Sequence, residues 1–204
     1  MANVGFMPIE NITVRRALEP EAAEVSAAMA ANFMDETVCT YVFTDETARR
    51  EVYPQFLAGQ ISESLAGGEV LITEDLAAVS IWSYRKKDEE HEAPSLDTLP
   101  PDAPEYARRG ITVLSMIEQR HPRHADHLYL VALGVHPDHR GRGLGGAVLR
   151  HRLAEADSRG EPVYLEASST RNRPLYERHG FVQTGDPIQF PDGPEIYPMW
   201  RDPR

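Results

Sequence analysis

Apolar and polar residues alternate along this chain at two periods, and the changes of period mark out its elements. Ile12-Thr13-Val14-Arg15-Arg16 alternates as a first strand should. From Pro20, apolar residues recur every three to four positions through Val25, Met29 and Phe33, predicting a helix. A second helix is predicted from Glu46 to Leu65, with Phe56, Leu57, Ile61 and Leu65 inward and Gly67-Gly68 ending it. Glu69 to Thr73 and Leu76 to Tyr84 form a predicted hairpin around Glu74-Asp75, with Trp82 and Tyr84 on one side. Arg85 to Pro104 breaks both periods with charge and proline and is expected to be a surface loop or an inserted lid. Helical spacing returns from Tyr106 to Gln119. A strand follows from His127 through Leu133, then a helix after the glycines near 143 and a strand from Pro162 to Ala167. A short helix from Pro174 to His179 precedes a closing pair, Phe181 to Phe190 with Glu195 to Trp200. Residues 1–11 carry little periodicity and form a loose lead-in; no repeat or linker divides residues 1–204, so a single domain is expected.

The strongest chemical signal lies between the fourth predicted strand and its helix: Leu133-Gly134-Val135-His136-Pro137-Asp138-His139-Arg140-Gly141-Arg142-Gly143-Leu144-Gly145-Gly146. Glycines at 141, 143 and 145 let main-chain N–H groups crowd together at a helix start, which makes a socket for a phosphate or diphosphate. The triphosphate loop G-x-x-x-x-G-K-[ST] is absent, because no Lys-Ser or Lys-Thr follows these glycines. The dinucleotide pattern G-x-G-x-x-G is met formally at Gly141, Gly143 and Gly146, with Glu166 about twenty residues on. Its context fails: His136 to Arg140 separate strand from glycine, and too little chain remains for a doubly wound sheet.

The third pattern, R-x-x-G-x-G, is filled by Arg140, Gly143 and Gly145. A second block follows: Tyr164-Leu165-Glu166, then Asn172-Arg173-Pro174-Leu175-Tyr176-Glu177-Arg178-His179-Gly180-Phe181. Together these blocks resemble the GNAT superfamily of N-acetyltransferases, and the spacing from Asn172 to Tyr176 is most like its puromycin N-acetyltransferase branch. The resemblance covers roughly residues 128–181. It implies an α/β (α+β) fold: a mixed central sheet of about seven strands, splayed between the fourth and fifth, flanked by helices. It also implies acetyl-CoA as cosubstrate and no metal. The coenzyme's diphosphate would sit on Arg140, Gly141, Arg142, Gly143, Leu144 and Gly145, and its arm would run along Leu133 and Val135 and past Asn172 and Tyr176.

Composition narrows the partners. A formal charge of −11 disfavours nucleic acid, although four arginines (Arg140, Arg142, Arg150, Arg152) oppose Asp138 between His136 and Arg152. Arg140 and Arg142, within the loop, suit the phosphates; Arg150 and Arg152 are expected on a solvated helix face. The acidic remainder suits a cationic amine. No segment is long and apolar enough to span a membrane, and no secretory leader is visible, so a cytoplasmic monomer or homodimer is expected. Cys39 is the single cysteine, which rules out an internal disulfide, and its neighbours supply no base to make it a nucleophile.

Acetyl transfer by direct attack needs a neutral amine, a donor for the carbonyl oxygen and a proton for the leaving thiolate. Tyr176 is the candidate acid, since a phenol of pKa ~10 stays protonated at neutral pH. Glu166, in an otherwise apolar strand, is the candidate base, with an arginine ion pair as the alternative use. His127 is a further candidate, and Glu90 and His91 in the loop are weaker ones. Asn172 suits either the coenzyme arm or a helix N-cap. His121, His124 and His127 lie three apart but straddle Pro122, and are expected to be exposed rather than metal-binding. The expected activity is acetylation of a small primary amine; protein acetylation, or acyl-CoA sensing without turnover, are the alternatives.

Overall fold

The computed structural model describes residues 12–67, 69–88 and 92–204. Eight strands form one sheet in the order β1-β2-β3-β4-β5-β8-β6, with β7 paired to β8. The strands are β1 (Val14–Arg16), β2 (Val70–Thr73), β3 (Ala78–Arg85), β4 (His127–Val135), β5 (Val163–Ala167), β6 (Val182–Gln183), β7 (Ile188–Gln189) and β8 (Glu195–Arg201). Every pairing is antiparallel except that of β4 with β5. The expected closing strand from Phe181 to Phe190 is in fact two short pieces, β6 and β7, both on β8.

The helices are α1 (Ala22–Phe33), α2 (Thr37–Val42), α3 (Glu46–Ala66), α4 (Glu105–Arg120), α5 (Leu144–Arg159) and α6 (Arg173–Arg178). One face of the sheet is covered by α1 and α3, where Val25, Met29, Leu57 and Ile61 meet Val70, Ile72, Val79 and Ile81. The other is covered by α5 and α6, where Val148, Leu149 and Leu153 meet Leu128, Leu130, Val163 and Leu165. A third cluster joins α2 and α4 to the β7–β8 end through Val38, Val113, Phe190 and Ile196. These clusters exclude water from both faces of the central strands, at roughly 25 cal/mol per Å² of apolar surface buried.

The loop between β3 and α4 contains one short 3₁₀ turn, Leu96–Thr98, and Glu90 and His91 lie outside the described residues. Arg152 departs from its expected solvated place. Its side chain is 2% exposed, faces Trp82 and lies 3.3 Å from Glu69. A cation on the buried side of α5 is tolerable because carboxylates surround it.

Candidate active site

β4 leaves the sheet at Val135 and passes through a 3₁₀ turn, Pro137–His139, into α5. Gly141 has φ 79° and Gly143 φ 85°, the left-handed region where a side chain is strained. Gly143 is the N-cap of α5 and has no side chain to spend on the helix start. The first-turn amides of α5 have no acceptor within the helix, so they present unsatisfied N–H groups at the positive end of its dipole.

Arg140 serves a different end from the one its sequence position suggests. Its Nε donates to the Val135 carbonyl at 3.0 Å, Nη2 to the Asn32 carbonyl at 2.9 Å, and both Nη atoms to Asp35 at 2.8 Å. The guanidinium therefore ties the end of α1 to the loop, and what remains for an anion is the main chain. The clamp closes over Gly134, where an added Cβ would stand 2.6 Å from the Phe33 ring and 2.7 Å from Asn32 Cβ. Arg142 is exposed and has no ion pair among the described residues.

The loop opens onto a cavity of about 1260 Å³. Its floor is the gap between β4 and β5, which pair only at Leu128–Val163 and Tyr129–Tyr164. Beyond Tyr129, β4 runs on through Leu133 and Val135 without β5 beside it, leaving main-chain groups on that edge free. Of the residues expected to bind the cosubstrate or to act as acid and base through Tyr176 and Glu166, all but Arg142 line this cavity; the further candidate His127 does not.

Tyr176, buried on α6, stacks edge-on against Phe181. Burial, with the charge of Glu36 adding to it, pushes its phenol well above the ordinary range, so it is protonated at neutral pH. Asn172 precedes α6 but caps nothing; its Nδ2 donates to Ser168 Oγ at 3.1 Å.

Glu166 alternates with Val163, Leu165 and Ala167, which face α5, and so points to the opposite side of β5. No arginine forms an ion pair with it among the described residues. Tyr129 donates to its Oε2 at 2.8 Å, while Oε1 is buried without a hydrogen-bond partner. Burial raises its carboxyl to about 7, against the opposing effects of the Tyr129 and Tyr164 hydroxyls and the Arg85 charge. The Tyr129 ring is fixed by His121 edge-on at 4.7 Å, Tyr164 at 5.8 Å and the Arg85 guanidinium at 5.8 Å.

Two of the three spaced histidines are buried rather than exposed: His121 at 7% and His127 at 0%. His127 Nδ1 lies 2.9 Å from the Ala125 carbonyl, which only accepts, so Nδ1 donates and Nε2 accepts from His121 Nε2 at 3.0 Å. Burial lowers the pKa of His127, which fits a neutral pair. No group of three potential metal ligands occurs among the described residues.

Three residues enter the site without a signal in sequence. Asn32 is 3% exposed, lines the cavity, and has neither carboxamide atom hydrogen-bonded. Glu36 caps α2 and lines the cavity, with its carboxyl raised by burial. Ser168 follows β5 and holds Asn172. An asparagine breaking the alanine run of α1 was the one visible hint. Cys39 lies buried behind Glu36, and burial pushes its thiol up to about 12, far from a reactive thiolate.

A parallel pair of strands parts over a cavity, beside a glycine bend that opens a helix. Residues 105–183 match the family described as acetyltransferase (GNAT) domain. An uncharacterized N-acetyltransferase of Schizosaccharomyces pombe is 25% identical, over 78% of this chain and 70% of its own. Among solved structures, a histone acetyltransferase HPA2-related protein of Corynebacterium glutamicum is 25% identical with TM-score 0.66, covering 95% of this chain and 97% of its own. Arylalkylamine N-acetyltransferase 2 of Aedes aegypti shares the fold at TM-score 0.73 and 14% identity, over 94% and 99% of the two chains. An agmatine N-acetyltransferase shares it at 0.70 and 19%, over 93% and 98%. Residues 105–183 thus carry an acetyltransferase (GNAT) domain, which makes the chain an acetyltransferase; GNAT enzymes use acetyl-CoA as cosubstrate.

The residues present fit that cosubstrate. Left-handed glycines keep side chains out of a bend rich in N–H donors. The free edge of β4 suits an extended amide-bearing arm, and the Asn32 carboxamide is a buried polar group in want of a partner.

Proposed function

We propose that this chain acetylates the primary amine of a small molecule by direct attack on acetyl-CoA. The observation that carries the reading is the one cavity shared by the glycine bend, the open edge of β4, Tyr176 and Glu166. Acetyl-CoA, when bound, supplies the acetyl thioester. The amides of residues 140–145 hold its diphosphate, with Arg142 free to add charge, and Leu133, Val135 and Asn172 hold its arm. Glu166 Oε1 accepts a proton from the incoming ammonium, for which a carboxyl near 7 is suited at neutral pH. Tyr176 Oη gives a proton to the leaving sulfur.

The acceptor half of the cavity favours a cation. Glu63, Glu92, Glu118 and Glu166 line the cavity, with Arg85 3.5 Å from Glu118. Phe33, Tyr53, Phe56 and Tyr106 supply apolar walls for a carbon skeleton. An acceptor of this kind is consistent with the amines named for the agmatine and arylalkylamine acetyltransferases that share the fold.

Thiol release from acetyl-CoA tests this against a panel of aryl and alkyl amines, diamines, puromycin, aminoglycosides and lysine peptides. Turnover with small cationic amines is expected. Turnover with peptides alone would make it a protein acetyltransferase, and binding without thiol release a sensor.

A further inference from the structure

Two arginines of this chain show how a guanidinium is satisfied. Arg140 grips Asp35 with both Nη atoms at 2.8 Å, and Arg201 grips Asp157 with both at 2.7 Å. Arg85, at the end of β3, is held less well. Its ion pair, Nη2 to Glu118 Oε2, is 3.5 Å long, beyond the roughly 2.8 Å of a charge-assisted hydrogen bond. Its Nε is buried and has no hydrogen-bond partner among the described residues. The side chain is 19% exposed, and the residue lines the cavity. A guanidinium carries five donors in a planar fork and keeps its charge, so burying it without acceptors costs free energy until a partner supplies them.

Strand register puts Arg85 in the acceptor half of the cavity. On β3, Ile81 packs toward α1 and α3 and Trp82 toward α5, so the alternation carries Ser83 and Arg85 on the α1 side. Across the pairing with β4, Ser83 meets Tyr129 and Arg85 meets His127. The Arg85 guanidinium lies 5.8 Å from the centre of the Tyr129 ring, whose hydroxyl donates to Glu166 Oε2 at 2.8 Å. One tyrosine ring therefore separates the candidate base from this under-satisfied cation. α4 adds Ile111, Leu114 and Ile117 to the lining beside Glu118. The other arginines of the cavity lie elsewhere: Arg140 is spent on Asp35, Arg171 adjoins Asn172, and Arg178 ends α6.

We infer that the acceptor is an amino acid in the broad sense, a primary amine joined to a carboxylate by a short carbon skeleton, and that Arg85 holds the carboxylate. The amine end meets Glu166 and the acid end meets the guanidinium, to either side of the Tyr129 ring. A planar carboxylate fits the fork with two parallel hydrogen bonds, which Glu118 at its distance does not supply. Glu63, Glu92, Glu118 and Glu166 line the same cavity, so a phosphate dianion is disfavoured there, whereas a zwitterion brings in no net charge. This rests on the proposed amine acetylation and names the acceptor class of that site.

Matched acceptors test the acid end alone. 4-Aminobutyrate, its primary amide and butylamine form one series; phenylalanine, its amide and phenethylamine form another. In thiol-release assays with acetyl-CoA, the wild-type protein should show kcat/KM ~10- to 10²-fold higher for the carboxylate than for the plain amine in the better-fitting series, mostly through KM. Arg85→Gln should bring that ratio close to one, and Arg85→Lys should restore only part of it, because an ammonium is not a planar fork. The ratio is insensitive to a general loss of rate, such as a disturbed Tyr129 would cause. Glu118→Gln removes the competing carboxylate and should raise the ratio. A wild-type protein that uses the plain amine or the amide as well as the carboxylate in both series overturns the inference, as does an Arg85→Gln protein that keeps the preference. Thiol release with no acceptor at all defeats the proposed amine acetylation and takes this assignment with it.

Discussion

The Tyr129 hydroxyl, on the last residue of β4 that pairs with β5, donates to Glu166 Oε2 two residues beyond that pairing. The bond fixes the carboxyl at the point where the strands part, with Oε1 buried. A hydrogen bond to the charged form favours ionisation, so it works against the burial that holds Glu166 near 7. Removing it in Tyr129→Phe should raise that pKa and move the acid limb of the kcat–pH profile upward by about one unit. Acetyl-CoA affinity should not change. A limb that stays in place would show that Glu166 is not the group titrating in it.

The same carboxyl should make folding stability depend on pH. Its pKa is higher in the fold than the ordinary 4.5, so its ionisation opposes folding. Below about pH 4.5 both states are protonated and the cost is absent; it grows through the interval to pH 7 and is full above. The rise corresponds to roughly 3 kcal/mol at most. Glu166→Gln should therefore raise the melting temperature more at pH 8 than at pH 5. Equal gains at both pH values would mean that burial does not perturb this group.

Tyr176→Phe keeps the ring against Phe181 and removes the proton. Steady-state kinetics on a good amine should show kcat lower by ~10²-fold, with acetyl-CoA affinity little changed. Unchanged kcat would make Tyr176 a packing residue.

Arg140 and Asp35 tie the α1 end to the phosphate bend through two 2.8 Å contacts at a partly exposed site. Asp35→Ala should cost stability about 1 kcal/mol or less, the usual worth of such a pair. It should weaken acetyl-CoA binding by more than that small loss suggests, because the loop loses its anchor to α1. Calorimetry on the variant checks both, and unchanged coenzyme affinity would remove the clamp from the binding account.

The bend and α6 were legible in sequence for a simple reason: each is local. Gly141 and Gly143 are fixed by backbone angles, and Tyr176 by its place in a short helix next to Phe181. Most strands followed from periodicity, whereas the mixed sheet parting between its fourth and fifth strands was implied by the family resemblance; α5 crosses over between β4 and β5, which run parallel. α2 was missed because Thr-Val-Cys-Thr-Tyr-Val is rich in β-branched residues; the Glu36 cap and packing on α4 override that preference. Tyr129 escaped notice because its partner lies 37 residues away and only strand register brings them together. Arg152, His121 and His127 were misplaced because polar residues in a sequence give no sign of the partners that make burial tolerable. Arg140 was correctly placed at the bend, but its engagement with Asp35 depends on where α1 ends in space.

The central claim is that the main chain between Arg140 and Gly145 holds the diphosphate of acetyl-CoA, and calorimetric titration of acetyl-CoA tests it most directly. The wild-type protein should bind at one site and gain melting temperature with ligand concentration. In Gly143→Glu, a side chain at φ 85° and a negative charge at the mouth of the bend should abolish both effects while the protein remains folded. A folded Gly143→Glu protein that binds acetyl-CoA as tightly as the wild type would contradict the account.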